Sequence, residues 1–149
     1  MPKKNGGVIV QEYDVRQLGI FTEIQISPYI NEEIFLRAKR YKALWDTGSD
    51  LSGITHRVVD ELKLKAIHEI PLITANGKRM SKIYAVNLIL PGGIKKLIRA
   101  VECNMDDDID VLIGMDVITC GDFAISSDQT KMYFAYRSPS EGAIVFAED

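Results

Sequence analysis

The stretch with the clearest chemical potential is residues 43–54, where an apolar run leads into Asp46 and the small residues Thr47-Gly48-Ser49 follow at once. An apolar run of this kind predicts a buried strand, and Thr-Gly-Ser predicts a tight loop directly after it. A carboxylate delivered to the end of a strand, where the chain turns on glycine, faces a cleft. Because burying a carboxylate is costly unless it is hydrogen-bonded or paired, this placement indicates acid–base chemistry.

Two motifs carry a family resemblance. The hexapeptide Leu44-Trp45-Asp46-Thr47-Gly48-Ser49 resembles the active-site loop of the aspartic proteases, which consists of two apolar residues followed by Asp-Thr/Ser-Gly-Ser/Ala. Downstream, residues 111–116 resemble the apolar-apolar-Gly segment that packs behind this loop in the family. Together the motifs resemble a retropepsin-like (retroviral-type) aspartic protease of the bacterial, single-domain type. The resemblance covers residues 43–118, with a looser likeness as far as Arg137.

The resemblance implies hydrolysis of peptide bonds by a water molecule held between two carboxylates about 3 Å apart, of which one keeps a proton. Since the chain carries a single Asp-Thr-Gly, the second carboxylate would be Asp46 of another copy, in a homodimer. By resemblance, Thr47 would hydrogen-bond across the two-fold axis and Gly48 would allow close backbone approach. Ser49 would donate a hydrogen bond to the outer oxygen of Asp46. This chemistry requires no metal and no cofactor.

The resemblance also implies a binding site for a peptide or protein substrate in extended conformation. Asp50 matches the family position that contacts the substrate, and residues 74–77 would be the tip of a flap that closes over it. Ile113 and Gly114 would form the wall behind the Asp46 loop. The expected substrate-binding residues are therefore Asp50, Thr74, Ala75, Asn76, Gly77, Ile113 and Gly114.

Two positions depart from the family pattern. Trp45 stands where the family prefers a smaller apolar residue. Met115 follows Gly114 where retroviral enzymes carry Arg, so the ion pair expected for Asp50 lacks its partner. These departures leave a second function open beside proteolysis, namely a catalytically silent retropepsin-fold module for dimerisation or peptide binding.

The rest of the chain reads as many short strands with frequent turns and one or two short helices. A half-buried strand alternates over residues 20–26, and a second strand begins at Ile34 and runs into Asp46. Thr55 is a candidate N-cap for a short helix, and Asn76-Gly77 between apolar runs predicts a hairpin. Residues 143–146 predict a last strand.

This pattern predicts an all-β, closed or barrel-like fold. The resemblance narrows it to the retropepsin-like acid-protease barrel, formed by one domain over residues 1–149. Residues 1–7 are expected to be a flexible leader.

Composition limits the function classes. The chain has 149 residues, 46% of them hydrophobic and 26% charged, with a net charge of −3, which predicts a globular domain without a nucleic-acid-binding surface. Cys103 and Cys120 lack Cys-x-x-Cys spacing, which predicts buried free thiols in a reducing compartment. Since no signal peptide and no stretch of membrane-span length is recognisable, we expect a cytoplasmic protein without a membrane partner.

Other candidate sites are weaker. Ser49 as a nucleophile lacks the Gly-x-Ser-x-Gly context, and His56 and His68 are expected at the surface. An acidic run resembles the start of a calcium loop but lacks the required glycine and closing glutamate, so it is expected to be a solvated turn; it contains Asp106, Asp108 and Asp110. For Asp46 itself, a purely structural role in a turn remains the alternative.

Overall fold

The computed structural model describes residues 6–29, 37–106 and 108–148, which form ten β-strands and two short α-helices. The strands are β1 (Gly7–Tyr13), β2 (Phe21–Pro28), β3 (Lys39–Trp45), β4 (Gly53–Ile54), β5 (His68–Thr74), β6 (Gly77–Ile89), β7 (Lys95–Glu102), β8 (Val111–Ile113), β9 (Asp122–Ser127) and β10 (Met132–Ser138). The helices are α1 (His56–Glu61) and α2 (Met115–Ile118), and a 3₁₀ turn spans Pro91–Gly93.

Six strands close into a ring. Their order is β2-β3-β8-β4-β7-β6, and β6 pairs again with β2, so the two ends of the sheet meet. The contacts β3–β8 and β4–β7 are parallel, and the other contacts of the ring are antiparallel. A ring of this kind has no open edge, which is the usual way in which small β proteins protect their strands. The predicted all-β, barrel-like fold is confirmed.

The alternation of β2 shows how the sequence fills this ring. Thr22, Ile24 and Ile26 are buried, whereas Glu23 between them is exposed. Because successive side chains of a strand point to opposite faces, the isoleucines enter the interior together. Each fully buried aliphatic side chain contributes about 1.5–3 kcal/mol to stability. Other fully buried members of the core are Ile54, Val58, Val86, Leu88, Ile94, Val111 and Ile113.

An arm made of β5 and the first half of β6 projects from the ring. Strand β5 pairs only with β6 among the described strands, in register from His68 opposite Ile83 to Thr74 opposite Gly77. Gly77 has a φ of +107°, which glycine adopts without the strain that a side chain would add. The hairpin predicted at Asn76-Gly77 is confirmed.

A second, three-stranded sheet lies beside the ring and is called the terminal sheet below. Its order is β1-β10-β9, and all its pairs are antiparallel. Ile9 of β1 and Met132, Phe134 and Tyr136 of β10 are buried. The terminal sheet therefore shares one hydrophobic core with the ring.

Several predictions about the chain ends need correction. Gly7 belongs to β1 rather than to a leader, and residues 1–5 lie outside the described residues. The start of the second predicted strand, 34–36, also lies outside them; the described strand is Lys39–Trp45. The strand predicted at 143–146 is wrong, because no described residue after Ser138 is in a strand. The apolar side chains of this segment are exposed, and the segment pairs with no described strand.

The predicted burial is wrong for Cys120 and only partly right for Cys103. Both thiols are free, but Cys120 is exposed and Cys103 is half-buried. Burial raises the pKa of the Cys103 thiol to about 11, so it stays protonated near neutral pH.

The acidic turn is not fully solvated either. Asp110 is buried and pairs with Arg57 (2.7 Å), and the Thr55 hydroxyl donates to Asp110 (2.7 Å). Helix α1 begins directly after Thr55, as predicted, but Thr55 makes no side-chain cap. Its hydroxyl is instead committed to Asp110, which stabilises the buried carboxylate. Both His56 and His68 are exposed, as predicted.

No described helix has the length and apolar character needed to cross a membrane.

A carboxylate at the start of β9 fixes the C-terminal segment. Three donors converge on Asp122: the Arg137 side chain (2.5 Å), the Ser140 hydroxyl (2.5 Å) and the Glu141 backbone N–H (2.9 Å). These hydrogen bonds lower the pKa of Asp122 to about 2, with that from Ser140 having the largest effect. Since the folded pKa lies below the ordinary value, this contribution is present above pH 4 and is lost as the pH falls towards 2.

We therefore predict that Asp122→Asn releases the segment after Ser138 at neutral pH, because an amide offers one acceptor oxygen to three donors. The measurement is hydrogen exchange of the Glu141 amide, which should become faster in the variant. Wild-type protein should show the same change when the pH is lowered from 4 to 2. Asp128→Asn is the control, since Asp128 binds only its own turn. Unchanged Glu141 exchange in Asp122→Asn would contradict the prediction.

Candidate active site

Asp46 lies directly after β3, at the point where the strand leaves the ring. Its backbone N–H donates to the Ile113 carbonyl (2.8 Å), and its half-buried carboxylate accepts the Gly48 N–H on Oδ1 (2.8 Å). A second bond joins the Ser49 N–H to the Asp46 carbonyl (3.3 Å). These contacts form a tight turn in which the aspartate is oriented by the backbone that follows it. The predicted arrangement of strand, acid and loop is therefore present.

Residues 113–117 pack against the Asp46 loop, which we define as residues 46–52. Strand β8 runs parallel to β3 and places Ile113 beside Trp45. The Met115 N–H then donates to the Ser49 carbonyl (2.7 Å). A Cβ atom on Gly114 would lie 2.7 Å from that carbonyl oxygen and 2.8 Å from the Leu51 backbone, so only glycine fits here. The structure thus brings the two sequence motifs into direct contact.

Ser52 and Asp116 form a polar link that sequence reasoning missed. The buried Ser52 hydroxyl accepts the Gly114 N–H (3.1 Å) and donates to Asp116 Oδ1 (2.8 Å). Asp116 Oδ1 also accepts the Val117 N–H (3.0 Å), and the Asp116 N–H donates to the Asp50 carbonyl (3.2 Å). The available signals were a lone serine in an apolar run and an acid inside the second motif. Neither signal identifies its partner.

The other predicted residues of the loop are placed as follows. Thr47, Gly48 and Asp50 are exposed, and Ser49 is half-buried. The hydrogen bond expected from Ser49 to the Asp46 carboxylate is not formed, because the Ser49 hydroxyl donates to the Leu51 carbonyl instead (2.7 Å). The Asp46 carboxylate accepts a hydrogen bond from the backbone N–H of Gly48 instead.

The site is electrostatically negative. Three carboxylates, those of Asp46, Asp50 and Asp116, lie on the loop and the segment behind it. Within the described residues, no Lys, Arg or His nitrogen lies within 4 Å of any of them. Asp50 therefore has no ion pair in the described part of the chain, and its carboxylate faces solvent.

Residues 74–77 lie together at the tip of the arm. The arm leaves the ring at β6, whereas the Asp46 loop leaves it at β3, and β2 pairs with both of these strands. Ile113 and Gly114 contact the Asp46 loop directly, as described above. The structure thus groups the predicted residues into two sets, one on the loop and its backing and one on the arm.

Comparison with known families identifies this arrangement. Residues 28–117, more than half of the chain and including both motifs, match the family described as aspartyl protease. This chain belongs to the aspartyl protease family. A search among curated proteins finds no match for this aspartyl protease family member.

Solved structures place the fold of this family member among the retropepsin-like proteins. It is similar to the crystal structure of a retropepsin-like aspartic protease from Rickettsia conorii, with a TM-score of 0.50 and 19% identity over 93% of this chain and 99% of that chain. The solution structure of the simian foamy virus (mac) protease matches 65% of this chain and 91% of its own, with a TM-score of 0.46 and 13% identity. At 19% identity, the similarity to the Rickettsia protein shows the fold alone.

The link through Ser52 predicts a measurable loss of stability. Ser52→Ala removes the donor to Asp116 and leaves the buried Gly114 N–H without its acceptor, at a cost of about 1–3 kcal/mol in the free energy of unfolding. Urea denaturation measures this cost. Ser126→Ala, an exposed serine of β9, is the control and should stay within about 0.5 kcal/mol of wild type. Equal stability of the two variants would show that the link contributes nothing.

Proposed function

We propose that this chain is an aspartic endopeptidase that acts as a homodimer with one active site per dimer. The observation that carries the proposal is the position of Asp46. Its carboxylate stands half-exposed at the end of a barrel strand, in a loop that the glycine-containing 113–117 segment braces from behind, in a member of the aspartyl protease family. One chain supplies one such carboxylate, and the chemistry needs two.

The proposed mechanism uses the two Asp46 side chains as one unit. Carboxylates about 3 Å apart cannot both ionise, so the charged one takes a proton from water while the protonated one donates to the substrate. Water attacks the peptide carbonyl, and the leaving nitrogen is protonated as the bond breaks. No metal and no cofactor is required.

Three neighbours of Asp46 complete the proposed catalytic loop. The exposed side chain of Thr47 is available to a second copy across the two-fold axis. The Gly48 N–H donates to Asp46 Oδ1 and orients the carboxylate, and a side chain at Gly48 would crowd the carboxylate, since a Cβ would lie 3.2 Å from Oδ1. Ser49 contributes through its carbonyl, which accepts the Met115 N–H and holds the loop in place.

The proposed substrate is a peptide segment in extended conformation. It would add as a strand beside the site, with backbone hydrogen bonds supplying affinity and pockets reading alternate side chains. Asp50 is exposed at the edge of the loop, and residues 74–77 at the tip of the arm would close over the peptide and exclude water. Ile113 and Gly114 support the loop from behind and form the wall of the site there.

We propose the cytoplasm as the compartment in which this chemistry takes place. Cys103 and Cys120 are both free thiols, as expected in a reducing environment. The chain carries a net charge of −3 and concentrates carboxylates around the site, so a nucleic acid is not among the proposed partners.

Replacing the proposed catalytic acid tests the function directly. Asp46→Asn should reduce cleavage of a mixed peptide library by at least about 100-fold, because the amide can neither accept nor deliver the proton. Thermal unfolding and the oligomeric state should stay unchanged. Proteolysis at the wild-type rate by the purified variant would refute the assignment.

Mixing the two forms tests whether the site is shared between copies. Wild type and Asp46→Asn are refolded together in equal amounts, and the activity is compared with that of the same total amount of wild type. If Asp46 of both chains is needed, about a quarter of the activity should remain, since only pure wild-type dimers are active. Sites contained within single chains would leave about half. A strictly monomeric wild type that cleaves peptides would contradict the shared site.

The alternative function is a catalytically silent module that binds peptides or dimerises, and it is motivated by Trp45 and by Met115, which stands where retroviral enzymes carry Arg. Incubation with the peptide library at about pH 4–7, with and without a pepstatin-type transition-state mimic, separates the two functions. Turnover excludes the silent module, and binding without turnover supports it.

A further inference from the structure

Trp45 is the only tryptophan in the chain and immediately precedes Asp46. It is 6% exposed and therefore belongs to the core. The backbone is fixed on both sides of the peptide bond that joins the two residues. The Trp45 N–H donates to the Ile20 carbonyl (3.0 Å) and the Asp46 N–H donates to the Ile113 carbonyl (2.8 Å). The two residues are therefore joined by a single peptide unit that backbone hydrogen bonds restrain on both sides.

The indole is held by a series of buried and part-buried hydrogen bonds. Its Nε1–H donates to the Thr22 hydroxyl (2.8 Å), which in turn donates to Gln11 Oε1 (2.5 Å). The Gln11 amide nitrogen donates to the Phe21 carbonyl (2.8 Å). Thr22 is itself buried, and its hydroxyl is satisfied by one donor and one acceptor. These hydrogen bonds connect β3 through β2 to β1 of the terminal sheet.

Aromatic rings of the terminal sheet fix the indole from the other side. Its ring centroid lies 4.9 Å from Tyr136, 5.1 Å from Phe134 and 5.9 Å from Phe123, all at tilted angles. Aromatic pairs at these distances attract one another beyond their burial of area. The Tyr136 hydroxyl also donates to the Val117 carbonyl (2.7 Å), and burial raises the pKa of Tyr136 to about 12, so this donor stays protonated. The indole cannot rotate without displacing the terminal sheet.

We propose that Trp45 and Thr22 form a positioning pair that sets the location of the Asp46 carboxylate. The terminal sheet holds the indole, the hydrogen bond to Thr22 fixes its orientation, and the restrained backbone passes this placement to the Asp46 loop. The proposal rests on the proposed function, because position matters for catalysis only if Asp46 is the reacting acid. In a dyad, a displacement of about 1 Å is enough to reduce the rate about 100-fold.

A simple packing role predicts something different. If Trp45 only fills the core, a smaller aromatic ring in its place should lower stability without a specific effect on catalysis. The positioning role instead depends on the indole N–H and the threonine hydroxyl. Thr22→Val keeps the shape of the side chain but removes its hydroxyl, and with it the bonds to Trp45 and Gln11. Trp45→Phe removes the indole N–H and the second ring of the indole.

The experiment measures kcat and KM for peptide cleavage by both variants. We expect kcat to fall about 10- to 100-fold while KM changes less than about twofold, because the reacting groups are misplaced and the binding cleft is intact. Thr22→Ser keeps the hydroxyl and should recover most of the wild-type kcat. Ser27→Ala is the matched control, since it removes another buried hydroxyl from β2, at the end of the strand far from Asp46.

The double variant sharpens the test. Since both substitutions break the Trp45–Thr22 bond, the double variant Trp45→Phe with Thr22→Val should lose less kcat than the product of the two single losses predicts. Wild-type kcat in either folded single variant would overturn the proposal. A loss in Ser27→Ala as large as that in Thr22→Val would also overturn it, as would independent, additive losses in the double variant.

A readout without activity separates this proposal from the proposed function. The Gly48 N–H donates to Asp46 Oδ1, so its NMR resonance reports the position of the carboxylate. We expect this resonance to shift in Trp45→Phe and Thr22→Val and to stay in place in Ser27→Ala and Thr22→Ser. If wild-type protein cleaves no peptide, the proposed function fails and the resonance still decides the positioning role. An unmoved Gly48 resonance in both single variants would then overturn it.

Discussion

Backbone pairing between the Asp46 loop and residues 113–117 is the constraint on which the rest of the structure depends. Strand β8 enters the ring parallel to β3, so the carbonyl of Ile113 meets the N–H of Asp46 and the N–H of Met115 meets the carbonyl of Ser49. This approach is close enough that residue 114 must be glycine. Loops are usually the mobile part of a β-barrel. Here the loop that carries the acid is fixed by backbone hydrogen bonds on the side opposite to solvent.

This constraint also fits the shared site that we propose. The carboxylate of Asp46 is held by its own backbone and by the braced loop, yet the described residues place no cation near it and its neighbour Thr47 is exposed. A carboxylate held in this way suits a second carboxylate beside it, because two adjacent carboxylates divide the roles of acid and base between them. The homodimer that we propose would supply that partner.

Two scaffolds converge on this loop from different directions. Ser52 and Asp116 connect it to α2 through a small polar link, whereas Trp45 connects it to the terminal sheet through aromatic contacts and a hydrogen bond to Thr22. Buried polar groups of this type cost stability when they lose a partner and specify one arrangement when they keep it. Both scaffolds use residues outside the recognisable Asp-Thr-Gly tripeptide. The tripeptide therefore marks the site, and the surrounding contacts give it a defined geometry.

The sequence by itself determined the local features: Asp46 at a strand end, the hairpin at Asn76-Gly77, the helix start after Thr55 and the all-β class. All but the helix start follow from alternation or turn residues, which act over a few neighbouring positions. The helix begins where predicted although the Thr55 hydroxyl binds Asp110 and makes no cap. The tertiary structure alone decided which distant groups meet, such as Ser52 with Asp116, 64 residues apart. It also turned the Ser49 hydroxyl to Leu51 and left residues 143–146 unpaired. Local patterns indicate whether a residue is buried or lies in a turn. Only the folded chain determines which distant group becomes its hydrogen-bond partner.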